Sequence, residues 1–397
     1  LRRLQQPLEG IRVIDLTRYI AGPYCTAILA DMGAEVIEIE RPGGDDGRRR
    51  GVLYNGENIK WHVYHRNKKA ITLNLRADEG KEILRDLVRR ADVVVENYRP
   101  GTIDKMGFGL VALRELKPNI ILVSISGFGQ YGPFAQRPGF DAIAQALSGL
   151  MSLNGEPDGD PVVCGPSFLG DISAGTWAAM GAVLALFYRE HTGIGQHADA
   201  SLLESVMPFL MTTIPDYVAT GVPPERLGNR DRYGVPANAF HTRDGMVYID
   251  AGGENLFRRL CQIIGRPEVI EDPRFATYPE RFKHREELEP IVAAWTRERS
   301  TQEVMEVLGS EVPSGPIRTV PEVVLCPQLA KRGYLVELDD PKLKGLPLPG
   351  VPIHLSESPG KVRRPAPTVG QHNEEVYCIM LGYAKERLDE LHLAGVI

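Results

Sequence analysis

The chain has 397 residues, 43% of them hydrophobic and 25% charged, a globular composition long enough for two lobes. A formal net charge of -6 excludes the basic excess of a dedicated nucleic-acid binder, so no nucleic-acid partner is expected. Five scattered cysteines without a CxxC pair, a longest apolar run (Trp177 to Tyr188) too short for a bilayer, and an N-terminal LRRLQQPLEG without a signal-peptide core predict a reduced, cytoplasmic protein with no membrane partner.

The first part alternates strands and helices. IRVIDL (11–16) predicts a strand, and AGPYCTAILADMG (21–33) a helix with Pro23 in its first turn. AEVIEIE (34–40) and AITLNL (70–75) predict two more strands. ADEGKEILRDLVRRA (77–91) has helical periodicity, DVVVENY (92–98) follows as a strand, and NIILVSIS (119–126) predicts a strand buried on both faces. Strands separated by helices imply βαβ units, a mostly parallel sheet and a doubly wound α/β lobe. Two basic clusters, Arg48-Arg49-Arg50 and Arg66-Asn67-Lys68-Lys69, read as solvated charged faces.

SFLGDISAGTWAAMGAVLALFYRE (167–190) predicts a buried helix, and TGIGQHADASLLESVMPFLMTTI a turn, a short strand and another helix. TGVPPERLGNRDRYGVPANAF (220–240), rich in Pro, Gly and Arg, predicts a connector. GMVYIDAGGENLFRRLCQIIG and charged helical segments at 281–310 predict a smaller α/β lobe to about residue 320, and the tail ends in a helix.

Several motifs fail on their context. GFGQYG (127–132) follows a strand and has the spacing G-x-G-x-x-G, but Pro133 and Pro138 prevent the helix whose amides would meet a pyrophosphate. It predicts a loop in which backbone approaches something closely. His62 and His65 have no third ligand near them, so no metal is expected. Neither a P-loop nor a G-x-S-x-G elbow occurs.

Carboxylates remain. Asp171, after Gly170, suits a helix N-cap, although Ala174 stands where a capping box needs Glu or Gln. Gly170, Ser173, Ala174 and Gly175 leave the carboxylate unshielded, with room for a sizeable ligand, and an Asp held out of water can be a covalent nucleophile. Local pattern leaves cap and nucleophile both open.

Five blocks in series carry a resemblance: PLEGIRVIDLTRYIAGPYCTAILADMGAEVIEIERPGGDDGR, ADVVVENYRPGTIDKMGF, SISGFGQYGPFAQRPGFDAIAQALSG, GDISAGTWAAMGAVLALFYREHTGIGQHADASLLE and PTVGQHNEEVY. Over nearly the full chain it resembles the class III CoA-transferases, the family of formyl-CoA transferase, carnitine CoA-transferase and α-methylacyl-CoA racemase. The resemblance implies a Rossmann-like large domain (1–220), a small domain (221–325) and a C-terminal return to the large one (326–397). It also implies an interlinked homodimer of ring-shaped subunits.

The resemblance places the nucleophile on Asp171, whose carboxylate would attack an acyl-CoA thioester and pass through an aspartyl anhydride and an aspartyl-CoA thioester. CoA is then a substrate, with a carboxylic acid as acceptor and no tightly bound cofactor. CoA contacts carry over to Ile20, Ala21, Arg41, Leu73, Asn74, Leu75, Arg76, Asn97, Tyr98, Arg99, Lys105 and Arg137, of which Arg41, Arg76, Arg99 and Lys105 can pair with phosphates. The family's glycine loop falls on Gly252 and Gly253 in DAGGEN, shorter than the GGGG of formyl-CoA transferase. The racemases pair the Asp with a His in a block like RAGHD. Here RPGFD places Phe140, which cannot move a proton, beside Asp141, so transfer is expected over racemisation or non-catalytic CoA binding. Positive charge near the site suits a short dicarboxylate such as succinate, malate or a methyl-branched C5 acid.

Overall fold

Short aliphatic runs build one sheet. In the computed structural model, which describes residues 5–165 and 168–397, the strands are β1 (Arg12–Asp15), β2 (Glu35–Glu40), β3 (Lys69–Thr72), β4 (Val93–Glu96), β5 (Ile121–Ser126) and β6 (His197–Ser201). Ser167, the first residue of the predicted long helix, lies outside the described residues, as do the first four residues of the N-terminal segment. All neighbouring strands are parallel, in the order 3-2-1-4-5-6. The fold is mixed α/β on a parallel sheet. β4 and β5 are buried at every position, which is why VVVE and ILVSIS are mostly aliphatic on both faces.

The helices that matter for the site are α1 (Ala21–Asp31), α2 (Ile59–His65), α3 (Asp78–Arg89), α4 (Asp141–Ser148) and α5 (Leu169–Thr192). α1 and α5 bury one sheet face through Val13, Val95, Val123, Ala178 and Ala182. α3 and the C-terminal segment bury the other through Ile14, Leu84, Leu122, Tyr377 and Val396. α5 approaches α1 closely along alanines, and a Cβ on Gly175 would lie 2.6 Å from the Ala21 carbonyl oxygen. The small residues of α5 therefore serve helix packing.

α5 is longer than its apolar run implied: over 24 residues it is long and apolar enough, by length and composition, to cross a bilayer. Its alanine side is buried in the core, while Trp177, Met180, Leu184 and Phe187 stay exposed.

The basic clusters are not solvated faces. Lys68 is fully buried against Asp15 (2.9 Å), Arg66 pairs with Asp31 (2.8 Å), Lys69 pairs with Glu35 and Glu375, and Arg48 pairs with Glu40. Their carboxylate partners sit on β1, β2, α1 and the C-terminal segment, and all but Glu40 are more than thirty residues away in sequence. Only Arg49 and Arg50 of the first cluster reach solvent as predicted.

The chain forms two compact units, the first comprising the chain up to Met151, Val163–Thr220 and Pro327–Ile397, the second Ser152–Val162 and Gly221–Cys326. Within the first, PTVGQHNEEVY closes the outer edge of β3: His372 N–H donates to the Ala70 carbonyl, Thr72 N–H to Asn373 Oδ1, and Tyr377 OH to the Thr72 carbonyl. A covered edge cannot pair with another chain.

The second unit has an antiparallel sheet, β7 (Ala237–His241), β8 (Met246–Asp250) and β9 (Ser314–Pro316), with β8 central. Packed on it are α6 (Glu254–Ile263), α7 (Arg285–Arg297) and α8 (Thr301–Leu308). The predicted connector ends earlier than its composition suggested, because Ala237–Phe240 already pair with β8. Gly252 and Gly253 join β8 to α6. A Cβ on Gly252 would fall 2.5 Å from Gly234 Cα, and its carbonyl accepts from buried Arg281, so this glycine is required by a close backbone crossing.

Candidate active site

In the strand order 3-2-1-4-5-6 the connections reverse direction between β1 and β4, and a crevice opens there at the carboxyl ends of the strands. The loops after β1 and β4 are tied across it. Arg18 N–H donates to Asn97 Oδ1 (2.9 Å), and Asn97 Nδ2 donates to the Arg18 carbonyl (2.7 Å). Behind them Asp15 is wholly buried and accepts from Thr17, Thr26 and Lys68. Burial would raise its carboxyl, but Lys68 and the two hydroxyls outweigh that and hold it below the ordinary range.

These loops line a cavity of 720 Å³, a size suited to a substantial organic ligand. Ile20 and Ala21 enter it from the start of α1, and Asn97, Tyr98 and Arg99 from the loop after β4. Arg137, Phe140 and Asp141 come from the run into α4, and Asp171 from α5. Gly127, first of the GFGQYG glycines, also lines it. No helix follows that motif, and a Cβ on Gly127 would lie 3.0 Å from Gly139 Cα, so the close approach is loop against loop.

Asp171 is not the cap of its helix. The cap position is Phe168, in the left-handed region (φ 60°, ψ 53°) with no side-chain hydrogen bond, and Asp171 is the third residue of the first turn. Asp141 does the capping, with Oδ1 accepting from the amides of Gly170 and of Asp171 (3.2 Å). Its other oxygen accepts from Gln145 (2.9 Å), which also holds both backbone groups of Cys164. One buried carboxylate thus satisfies the orphan amides, and the Asp171 side chain is left to the cavity. A Cβ on Gly170 would meet Asp141 Oδ1 at 2.9 Å, so Gly170 makes room for Asp141. None of Gly170, Ser173, Ala174 and Gly175 lines the cavity, and their smallness does not clear space for a ligand.

Burial, with the neighbouring Asp141 charge, pushes the Asp171 carboxyl up to about 7, against the opposing pull of Lys60. After burial, Asp171 in turn raises Tyr64, on the cavity wall. Lys60 lines the same cavity from α2 and was not singled out in the sequence, because nothing local connects it to a residue 111 positions away. Trp61 and His65, stacked at 3.5 Å, form part of the wall, and His65 Nδ1 lies 2.6 Å from Glu38. Among the described residues no three His, Cys, Asp or Glu side chains form a metal-binding group.

Other expected contacts lie elsewhere. Leu73 is in the core, and Leu75 packs at its margin. Asn74 bonds the backbone of Val396 and Arg76, while Arg76 and Lys105 are exposed. Arg41 pairs with Asp46, which does line the cavity. Gly252 and Gly253 belong to the second unit.

A family model described as CoA-transferase family III matches residues 8–373. The chain is 39% identical to a succinyl-CoA–D-citramalate CoA-transferase of Chloroflexus aurantiacus, covering 100% of this chain and 99% of that protein. It is 39% identical to a succinate–glutarate CoA-transferase of Agrobacterium fabrum, covering 93% and 94%. Its structure is similar to that of a CaiB/BaiF family protein from Brucella suis, with TM-score 0.84 and 33% identity over 95% of this chain and 100% of that one. The chain therefore belongs to CoA-transferase family III and is an enzyme of that class.

Proposed function

We propose that Asp171 is the nucleophile of a transfer of CoA from a short dicarboxylyl-CoA, such as succinyl-CoA, to a carboxylic acid. The supporting observation is a carboxylate in a helix's first turn, freed from capping by Asp141 and bordering a cavity of ligand size. The Asp171 oxygen attacks the thioester carbon, and the C–S bond breaks to give a mixed anhydride and CoA thiolate. Thiolate attack on the aspartyl carbon releases the donor acid and leaves an aspartyl-CoA thioester. The acceptor carboxylate attacks that thioester, and the returning thiolate takes its acyl group and regenerates Asp171. One thioester replaces another, so no ATP is consumed. Holding the reactants in a crevice out of bulk water suits a nucleophile as weak as a carboxylate.

The choice of donor follows the relatives' names, which join succinyl-CoA or succinate to citramalate or glutarate. Arg99 and Arg137 line the cavity, which supports a role for them in pairing with CoA phosphates or with the acid. Phe140, edge-on to Tyr19, offers no second base for racemisation. Exposed Trp177, Met180, Leu184 and Phe187 fit burial in an interlinked homodimer of ring-shaped subunits, and five free cysteines fit a reducing cytoplasm.

Incubating succinyl-CoA with a panel of acids and following acyl-CoA products by mass spectrometry tests the reading. New acyl-CoA in proportion to succinate released is expected. CoA binding without exchange would leave a non-catalytic protein, and deuterium entering the α-carbon without an acceptor acid would mean a racemase.

Because protonated Asp171 cannot attack, kcat/KM is expected to rise about tenfold per pH unit up to about pH 7 and then level off. Asp141→Asn removes the charge that helps raise Asp171 yet keeps an oxygen for the two amides, so the acid limb moves to lower pH. An unmoved limb would show that Asp141 does not act on the nucleophile electrostatically.

A further inference from the structure

The reactive end of the cavity contains a cation that the transfer chemistry leaves without a task. Lys60 lies in the first turn of α2, whose cap Asn58 is anchored on the carbonyls of Gly47 and Arg48, so the stem starts from a fixed point. Its ammonium sits 5.1 Å from the centre of the ring of Phe168, the residue in the cap position of α5. No carboxylate among the described residues is within ion-pair distance of Lys60. Arg18, by contrast, is paired with Asp45. Among the cations lining the cavity, Lys60 is the one whose field reaches Asp171 strongly enough to lower its carboxyl.

We infer that Lys60 is the specificity residue for the non-reacting carboxylate of a dicarboxylic substrate, held beside Asp171 while the other end is transferred. This rests on the reading of Asp171 as nucleophile given above. When the thioester carbon is against Asp171, two methylenes put the far carboxylate about 4 Å beyond it, still inside the cavity that Lys60 lines with Asp171. When Asp171 is acylated its own anion is gone, and the negative charge of the reaction resides on the CoA thiolate or on the departing acid. The far carboxylate of a dicarboxylic acyl group is the charge that stays on the acyl group itself, available to Lys60 from the bound acyl-CoA through the anhydride.

The test compares succinyl-CoA with butyryl-CoA as donors, of equal carbon count, for wild type, Lys60→Gln and Lys60→Arg. The expected result is a wild-type preference for succinyl-CoA in kcat/KM that falls about 10- to 100-fold in Lys60→Gln and is largely kept in Lys60→Arg, which preserves the cation. Equal losses on both donors, with the acid limb of the pH profile moved upward, would mean that Lys60 only tunes Asp171, and would overturn the inference. A preference untouched in Lys60→Gln also overturns it. A wild type without any preference for succinyl-CoA instead refutes the dicarboxylate reading itself. Circular dichroism and the thermal midpoint establish that both variants are folded, and Lys60→Met, which also removes the cation, carries the comparison if the glutamine variant is not.

Discussion

Asp171→Asn and Asp171→Ala are expected to lower CoA transfer on the order of 10⁴-fold or more, because the other carboxylates lining the cavity are engaged elsewhere, Asp45 by Arg18 and the Gly47 amide and Asp46 by Arg41. Asp141 lines the cavity too, but both of its oxygens are occupied by the α5 amides and Gln145. Wild-type enzyme incubated with succinyl-CoA and then hydroxylamine or borohydride should carry a modification at Asp171 in peptide mass spectra, and the variants none. Transfer that persists in Asp171→Ala refutes the nucleophile assignment.

The same substitution is expected to stabilise the fold. The Asp171 carboxyl is raised from 3.8 to about 7 by burial and by Asp141, so its ionised form is disfavoured in the native state. The sign follows from linkage: the cost is absent below the unfolded value, grows between about pH 4 and 7, and is constant above. Asp171→Asn should therefore gain on the order of 2 kcal/mol at pH 8, discounted for the solvent that reaches the site, and gain nothing near pH 4. Thermal unfolding at the two pH values reads this without any substrate. A stability gain independent of pH would show that the burial cost has another origin.

Much of the architecture was legible because local pattern and tertiary role agree. VVVE and ILVSIS are mostly aliphatic since they are buried throughout, and ADEGKEILRDLVRRA is amphipathic since α3 buries only one side. Legibility ended where partners converge from distant segments. The cap of α5 is Asp141, thirty residues upstream, so the local sequence around Asp171 pointed to the wrong residue. Lys68 and Arg66 looked like surface charges because Asp15 and Asp31 lie 53 and 35 residues away, with no i,i+4 signal to connect them. Lys60 escaped notice for the same reason. Asp171 itself was ambiguous in its own segment, and five blocks across the chain were needed to favour the nucleophile.

Lys68→Met is expected to be the most destabilising of these substitutions, at about 3–5 kcal/mol near neutral pH, although Lys68 touches no substrate. Lys68 and Asp15 are both wholly inaccessible, and deleting the ammonium leaves a buried carboxylate supported only by Thr17 and Thr26. Glu38, already pushed up to about 8 by burial with Lys68 opposing, loses that counterweight as well. In the wild type the Asp15 carboxyl lies below its ordinary value, so this pair contributes stability above about pH 4 that fades as Asp15 protonates. The penalty of Lys68→Met should therefore be large at pH 7.5 and shrink toward pH 4. Asp15→Asn combined with Lys68→Met should recover more than half of it, since the amide keeps an acceptor for the hydroxyls without a charge. Urea unfolding at fixed protein concentration measures all three variants. Because Thr17 starts the loop that carries Arg18 to Ala21 into the cavity, the single variant should also lose transfer activity, and the double variant should regain part of it. A single variant within 1 kcal/mol of wild type would mean that the ion pair is not what holds the carboxyl end of β1 in place.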